Sequence, residues 1–496
     1  MFTPSAACRS LRLATLGVTA TFTPGLQLAS AAQVPARPNV IIITADDLGY
    51  GDVGVYGQQH IKTPNLDQMA QQGLRFTGAY AGAAVCTPSR AALLTGLHTG
   101  HARLRSNARS SLRPEDLTIG EVMKGANYTT AAFGKWGVSG VGKPVDTGNP
   151  NVQGFDRFYG YLDNDEAKFY FPDYLWTTVP NQQALQKVPL ANNNSSNIRV
   201  EYGPDVIQQN ALQFIRDHRQ TPFFMYYALT APHAGHADSP VTAKEIDPLY
   251  ASMPWPTVEK EFASTVTYLD RQIGEVITEL RTQGLDQNTV VIFSSDNGPR
   301  NDFGHNASFF DSNGPLRGIK RDMYEGGVRV PTIAWAPGMI AEGRTSDLPI
   351  AHWDFMATAA HIGGAWMPGN LDGISFVDTM RGTADQSVTF AERALFWRDE
   401  GDGRRGVRLG DWKAVGSVSN GRVTTIELYN LANDIAETTN LAGLPELAPI
   451  RDQLLLLIND LHTGVVVAEV PEPALIGPLG MAAGVLLRRR GRSIAQ

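Results

Sequence analysis

Cys86-Thr87-Pro88-Ser89-Arg90-Ala91-Ala92-Leu93-Leu94-Thr95-Gly96 is the most informative segment of this chain. Pro88 can occupy a first helical turn, and the run after it predicts a helix over residues 89–95. Cys86 then sits at the helix N-terminus, where free N–H groups and the macrodipole favour anions. A lone cysteine there is either a low-pKa thiolate nucleophile or a small buried apolar residue, and both readings stand at this point.

Around this segment, short apolar runs alternate with helical patterns, as in a parallel or mixed sheet covered on both faces. Strands are expected at 40–43, 128–133, 222–229, 289–294 and 332–335, the first from its β-branched Val40-Ile41-Ile42-Ile43. Helices are expected at 65–72, 118–125, 205–218 and 260–280, with a surface excursion over 181–203. From about residue 376 the texture changes to short polar strands, at 404–409, 412–415 and 425–429. A helix over 444–462 follows, which reads as a small α+β domain packed on an α/β domain.

Polar residues recur just after the expected strands: Asp46 and Asp47, Lys135, His233, and Asp296-Asn297-Gly298. Ligand crevices of open α/β sheets lie at the carboxyl ends of strands, so these segments are expected to converge. Three carboxylates and an amide are hard oxygen donors, which favours Ca²⁺ or Mg²⁺ over zinc. Taken singly, each of these also reads as a turn.

The chain has 496 residues, a net charge of -7 and two cysteines, Cys8 and Cys86. That excludes a disulfide scaffold, and the acidic balance argues against a nucleic-acid partner. Residues 1–33 carry Arg9 and Arg12, an apolar stretch and Ala29-Ser30-Ala31-Ala32, the pattern of a secretory signal peptide. Near the other end, Val470-Pro471-Glu472-Pro473 precedes an apolar run of 474–487 and Arg488, Arg489, Arg490 and Arg492. This tail, 466–496, resembles the PEP-CTERM sorting signal of Gram-negative exported proteins. The resemblance implies transient membrane anchoring, a sorting protease, and delivery to the periplasm, outer surface or extracellular matrix.

The Cys86 segment resembles the signature of the formylglycine-dependent, arylsulfatase-like sulfatases, with Cys-Thr-Pro-Ser-Arg followed by Leu-Thr-Gly. The resemblance continues through Gly134-Lys135-Trp136, Leu316-Arg317-Gly318 with Lys320, and Tyr324-Glu325-Gly326-Gly327-Val328-Arg329-Val330-Pro331. It reaches Val407-Arg408-Leu409-Gly410-Asp411-Trp412-Lys413 and Glu427-Leu428-Tyr429-Asn430-Leu431 in the small domain. It implies an alkaline-phosphatase-like fold, with a catalytic domain over 34–375 and a smaller C-terminal domain over 376–465.

By resemblance, Cys86 is oxidised by a formylglycine-forming maturation enzyme, and the aldehyde hydrate attacks sulfur and is transiently sulfated. Asp46, Asp47, Asp296 and Asn297, with the modified Cys86, would hold a divalent metal, usually calcium and alternatively magnesium. Arg90 would steady the deprotonated hydroxyl, Lys135 and Lys320 would bind sulfate, and His233 would serve as leaving-group acid or sulfate donor. The implied substrate is an aryl or carbohydrate sulfate ester, on a small molecule or a polysaccharide.

The chain departs from the family at Gly137, where many members have a histidine that contacts the formylglycine. Lys168 is a candidate cationic substitute near the sulfate, and a solvated loop lysine is the other reading. Two further functions share these motifs: hydrolysis of a phosphonate monoester or phosphodiester, and silent binding of sulfated polysaccharide.

Overall fold

The computed structural model describes residues 37–461, except 109, 141, 142, 181, 183, 191, 192, 194–198, 237–241 and 402. The expected leader and sorting tail lie outside the described residues. No helix among the described residues is long and apolar enough to cross a membrane.

Ten strands build one large sheet: Asn39–Ala45 (β1), Leu74–Phe76 (β2), Thr129–Lys135 (β3), Arg157–Tyr161 (β4), Tyr174–Thr177 (β5), Gln186–Pro189 (β6), Phe223–Ala228 (β7), Thr289–Ser295 (β8), Thr332–Trp335 (β9) and Arg344–Ser346 (β10). Their spatial order is β10-β2-β9-β8-β1-β7-β3-β4-β5-β6. The five central strands, β8-β1-β7-β3-β4, are parallel, while β9, β5 and β6 pair antiparallel towards the edges. All seven residues of β1 are buried, as a strand covered on both faces requires.

Alternation along the strands divides the core in two. Val40, Ile42, Phe224, Tyr226, Val290 and Ile292 face the helices Cys86–Thr95, Ile119–Gly125 and Asp354–Gly363. Ile41, Ile43, Met225, Tyr227, Val291 and Phe293 face Pro64–Gln71, Gly203–Asp217 and Thr257–Thr282. The Ile119–Gly125 helix is started by a capping box. Thr118 Oγ1 accepts from the Glu121 N–H at 3.3 Å, and the Glu121 carboxylate accepts from the Thr118 N–H at 2.8 Å.

The small sheet consists of Ala394–Asp399 (β11), Arg404–Leu409 (β12), Trp412–Ser419 (β13), Arg422–Val423 (β14) and Glu427–Asn430 (β15), all antiparallel. The Ala448–Asp460 helix packs Leu454 and Ile458 on it. Composition changes near 376, yet packing changes at 394. Phe376, Val377, Met380 and Phe390 still belong to the core of the large sheet.

A buried polar joint ties the two sheets together. Glu325 accepts from Lys413 Nζ of β13 at 2.8 Å and from Tyr80 Oη at 2.8 Å, and it pairs with Arg329 Nε at 2.5 Å. Lys413 also lies 3.2 Å from Glu437, whose other oxygen accepts the Glu325 N–H at 2.6 Å. Removing one partner of such a network leaves a buried charge uncompensated. Lys413→Ala is therefore expected to cost about 3–5 kcal/mol of stability, read as a lowered denaturant midpoint.

Candidate active site

Four adjacent parallel strands end on one edge of the sheet, and each delivers a polar residue there. β1 runs into Asp46 and Asp47, β8 into Asp296 and Asn297, β3 ends on Lys135, and the loop after β7 carries His233. The turn after β1 is tight: Asp47 has a φ of +69°, a left-handed conformation that Asp tolerates better than most residues. Its N–H donates to Asp296 Oδ1 at 3.2 Å, and the Asp296 N–H donates to the Ala45 carbonyl at 3.0 Å.

The Cys86–Thr95 helix begins at Cys86 itself, one turn earlier than expected from residue 89, with Pro88 inside its first turn. Cys86 Sγ lies 3.5 Å from Asp46 Oδ1 and 3.9 Å from Asp47 Oδ1. One turn on, Arg90 aims inward. Its Nε and Nη2 reach Asp296 Oδ2 at 2.9 and 2.8 Å, and its Nη1 donates to the Lys135 carbonyl at 2.6 Å.

The two lysines complete the cluster. Lys135 Nζ donates to Asp46 Oδ2 at 2.6 Å, and Lys320 Nζ lies 2.7 Å from Asp47. Burial opposes ionisation of Asp46, but Lys135, His233 and Arg90 hold its carboxyl well below the usual range. Asp47 is likewise held low against burial, chiefly by Lys320. Asp296 is pushed up to about 7 by burial and by Asp46.

His233 Nε2 stands 3.6 Å from Asp47 Oδ2, and its Nδ1 lies 2.8 Å from the Ala234 carbonyl. That carbonyl can only accept, so Nδ1 carries the hydrogen and Nε2 of the neutral ring presents a lone pair. Burial pulls the imidazole down to about 4, with Asp46 and Asp47 opposing.

Ligand atoms of Asp46, Asp47, Cys86 and His233 lie within 4.8 Å of one another, as a metal centre requires. Asp296 joins them through Arg90 and the Asp47 amide. Asn297 donates to Asp47 Oδ1 at 2.8 Å, while its own Oδ1 is buried without a hydrogen-bond partner among the described residues. An orphaned oxygen beside three carboxylates suits a hard cation.

A pocket of about 360 Å³ opens on Cys86, and Lys135, Gly137, His233 and Lys320 line it. Lys168 reaches its rim, with its ammonium 2.8 Å from Asp165 Oδ1. Thr87 of the Cys-Thr-Pro-Ser-Arg signature lies on the same wall, as do Asn164 and Asp302, which come from the variable loops 163–176 and 300–313 where the family resemblance places substrate contacts. His352, which no motif marks, bridges Ser89 at 3.3 Å and Ser294 at 3.0 Å behind the Cys86 helix.

A large mixed sheet flanked by helices, with a smaller C-terminal sheet, is the alkaline-phosphatase-like architecture expected above, and comparison with known proteins narrows the class. The family model "Sulfatase" matches residues 38–365, and "N-sulphoglucosamine sulphohydrolase, C-terminal" matches 318–463. Human arylsulfatase A is 34% identical over 91% of this chain and 94% of its own. N-acetylgalactosamine-6-sulfatase of Rattus norvegicus is 32% identical over 77% and 72%. The crystal structure of Ps i-CgsB in complex with k-i-k-neocarrahexaose superposes with a TM-score of 0.69 at 27% identity, covering 84% of this chain and 91% of that one. The chain belongs to the sulfatase family and is a sulfuric ester hydrolase.

Burial pushes the Cys86 thiol up to about 12, against the pull of Lys135 and Lys320. The low-pKa thiolate reading of the helix N-terminus therefore fails, because burial outweighs the nearby positive charge. In protein left unmodified at residue 86, alkylation at pH 8 is expected to run at least about a thousandfold slower than for a free cysteine. Mass spectrometry of the folded and the unfolded chain, before and after iodoacetamide, checks this.

Proposed function

We propose that this sulfatase works through residue 86 after oxidation of Cys86 to formylglycine, and that it cleaves an aryl or carbohydrate sulfate ester. The observation that carries the reading is the placement of Cys86. It is a buried, protonated thiol, unfit for attack as it stands, yet aimed at Asp46 and Asp47 where Lys135 and Lys320 converge. Oxidation turns that poor nucleophile into one whose hydrate supplies the attacking oxygen.

Asp46, Asp47, Asp296 and Asn297, together with residue 86, would hold the metal. Calcium is the first choice and magnesium the alternative for an all-oxygen donor set. Such a cation lowers the pKa of the attacking hydroxyl and offsets charge on the sulfate. Arg90 fixes Asp296 and Lys135 so that neither drifts as charge moves. Lys135 and Lys320 face the pocket as donors to sulfate oxygens. His233 takes up a proton on Nε2 before it can give one to the leaving oxygen, since Nδ1–H is committed to Ala234.

The pocket rim, with Asp163, Asp165 and Asp302, offers several hydrogen-bonding groups, which suits a hydroxyl-rich leaving group. The leader and the Pro-Glu-Pro tail support export from a Gram-negative cell, with tail removal by a sorting protease.

Expressed beside a formylglycine-forming enzyme, the protein is expected to hydrolyse an aryl sulfate in preference to an aryl phosphonate. Cys86→Ala is expected to lose at least about 10³-fold in kcat, because removing a covalent nucleophile leaves only residual catalysis. Equal turnover by Cys86→Ala, in a steady-state assay, overturns the reading. Calorimetric titration with Ca²⁺ is expected to show one tight site that Asp47→Ala abolishes, and unchanged binding removes Asp47 from the ligand set.

A further inference from the structure

At position 137 the chain has no side chain, and the backbone keeps it so. Gly137 has a φ of +76°, in the left-handed region. A Cβ there would lie 3.1 Å from Asn164 Oδ1 and 3.3 Å from Arg90 Cδ. The space beside Gly137 is therefore taken by the carboxamide of Asn164.

That carboxamide is held in place. Beyond the ends of β3 and β4 the two chains stay zipped together. The Trp136 N–H donates to the Tyr161 carbonyl at 2.9 Å and the Gly137 N–H to the Leu162 carbonyl at 3.1 Å. Asp163 Oδ1 accepts from the N–H groups of Asp165 and Glu166, each at 2.8 Å. The Glu166 carboxylate accepts from the Leu162 N–H at 3.0 Å, Tyr174 Oη at 3.0 Å and Trp176 Nε1 at 2.9 Å. On this fixed turn, Asn164 Nδ2 donates to Thr87 Oγ1 at 2.7 Å, next to the nucleophile position.

The other end of the amide, Oδ1, is buried and has no hydrogen-bond partner among the described residues. A buried acceptor without a donor costs free energy in the resting protein, so it is worth keeping when a donor arrives in the working one. Cys86, Thr87, Gly137 and Asn164 line one pocket. Thr87 Oγ1 already faces the Nδ2 end of the amide, and the hydrated form of residue 86 brings hydroxyl hydrogens for Oδ1.

We propose that Asn164 is a catalytic residue, whose Oδ1 accepts a hydrogen bond from the hydroxyl of the formylglycine hydrate at position 86. This rests on the formylglycine reading above. The contact points the hydroxyl hydrogen towards the amide and leaves an oxygen lone pair free to face sulfur. It also stabilises the hydrate over the aldehyde, which makes the assignment testable apart from turnover. Lys168, at the rim and bound to Asp165, is not needed for this contact.

The test uses the full chain co-expressed with a formylglycine-forming enzyme, with residue 86 quantified by peptide mass and folding by thermal midpoint. The aldehyde is labelled with an aminooxy probe. Asn164→Leu keeps the shape of the side chain and removes the acceptor, and is expected to label about 5-fold faster and to lose about 10–100-fold in kcat on an aryl sulfate. Asn164→Asp keeps both shape and acceptor, and is expected to label within about 2-fold of the unaltered enzyme. Should Asn164→Leu fail to fold, Asn164→Ala carries the same expectation. Equal labelling and equal kcat across folded, fully converted variants overturns the Asn164 assignment alone. A thiol at position 86 in fully active enzyme overturns the formylglycine reading and this one with it.

Discussion

Three carboxylates buried together at the end of a parallel sheet are the constraint on which the rest of the structure depends. Asp46, Asp47 and Asp296 are each at most 1% exposed, and carboxylates removed from water this completely need compensating partners. The compensation comes from far along the chain: Arg90 from a helix, Lys135 from the end of β3, and Lys320 from a loop after β8. No local element could supply all three. The sheet order, which sets β8, β1, β7 and β3 side by side, is what brings these segments within hydrogen-bonding distance.

Lys320 is the least anchored of the three by secondary structure, and the loop around it is correspondingly built from close backbone contacts. Its N–H donates to the Pro299 carbonyl at 2.9 Å, and the next N–H donates to the Ala84 carbonyl at 2.8 Å. Further on, a Cβ at Gly326 would fall 2.1 Å from the Gly318 carbonyl, and one at Gly327 would fall 2.0 Å from that of Asp322. The Tyr-Glu-Gly-Gly segment is thus a packing requirement, since only glycine lets these backbones touch. Glu325 at its head fastens to Lys413 and Glu437, so the small sheet braces the loop that carries a site lysine.

The legibility of this molecule in its sequence follows the same division. β1, β3, β7 and β8 are visible because central parallel strands are rich in apolar residues, and their carboxyl ends predict where the polar residues meet, while β9, antiparallel to β8, is visible as a short buried run. The edge strand β6 is not visible: Gln186 and Lys187 are exposed there, where polar residues cost nothing and pattern is lost. His352 is silent in the sequence, and Asn164 is marked only by its place in a variable loop, 163–176. Their importance comes from register and from buried hydrogen bonds, neither of which leaves a periodic trace. The partnering of Lys135 and Lys320 with Asp46 and Asp47 is also a matter of geometry, and the motifs alone suggest contact with sulfate.

Those pairings bear on how an anionic ester is drawn in. The body between the two chain ends is more acidic than the whole, because the leader, 1–33, and the tail, 466–496, together carry four net positive charges. Long-range attraction of a sulfate is therefore weak, and the local site has to supply it. Yet Arg90, Lys135 and Lys320 bring three positive charges against three carboxylates, so these side chains alone leave the pocket close to neutral. Burial and the neighbouring Asp46 push Asp296 up, against the pull of Arg90 and Lys135. Asp46, Asp47, Asp296 and Asn297 would hold a divalent cation here, and its charge would supply the attraction for sulfate that the side chains alone do not. The oxygen donor set and the orphaned amide oxygen of Asn297 both suit a hard divalent cation.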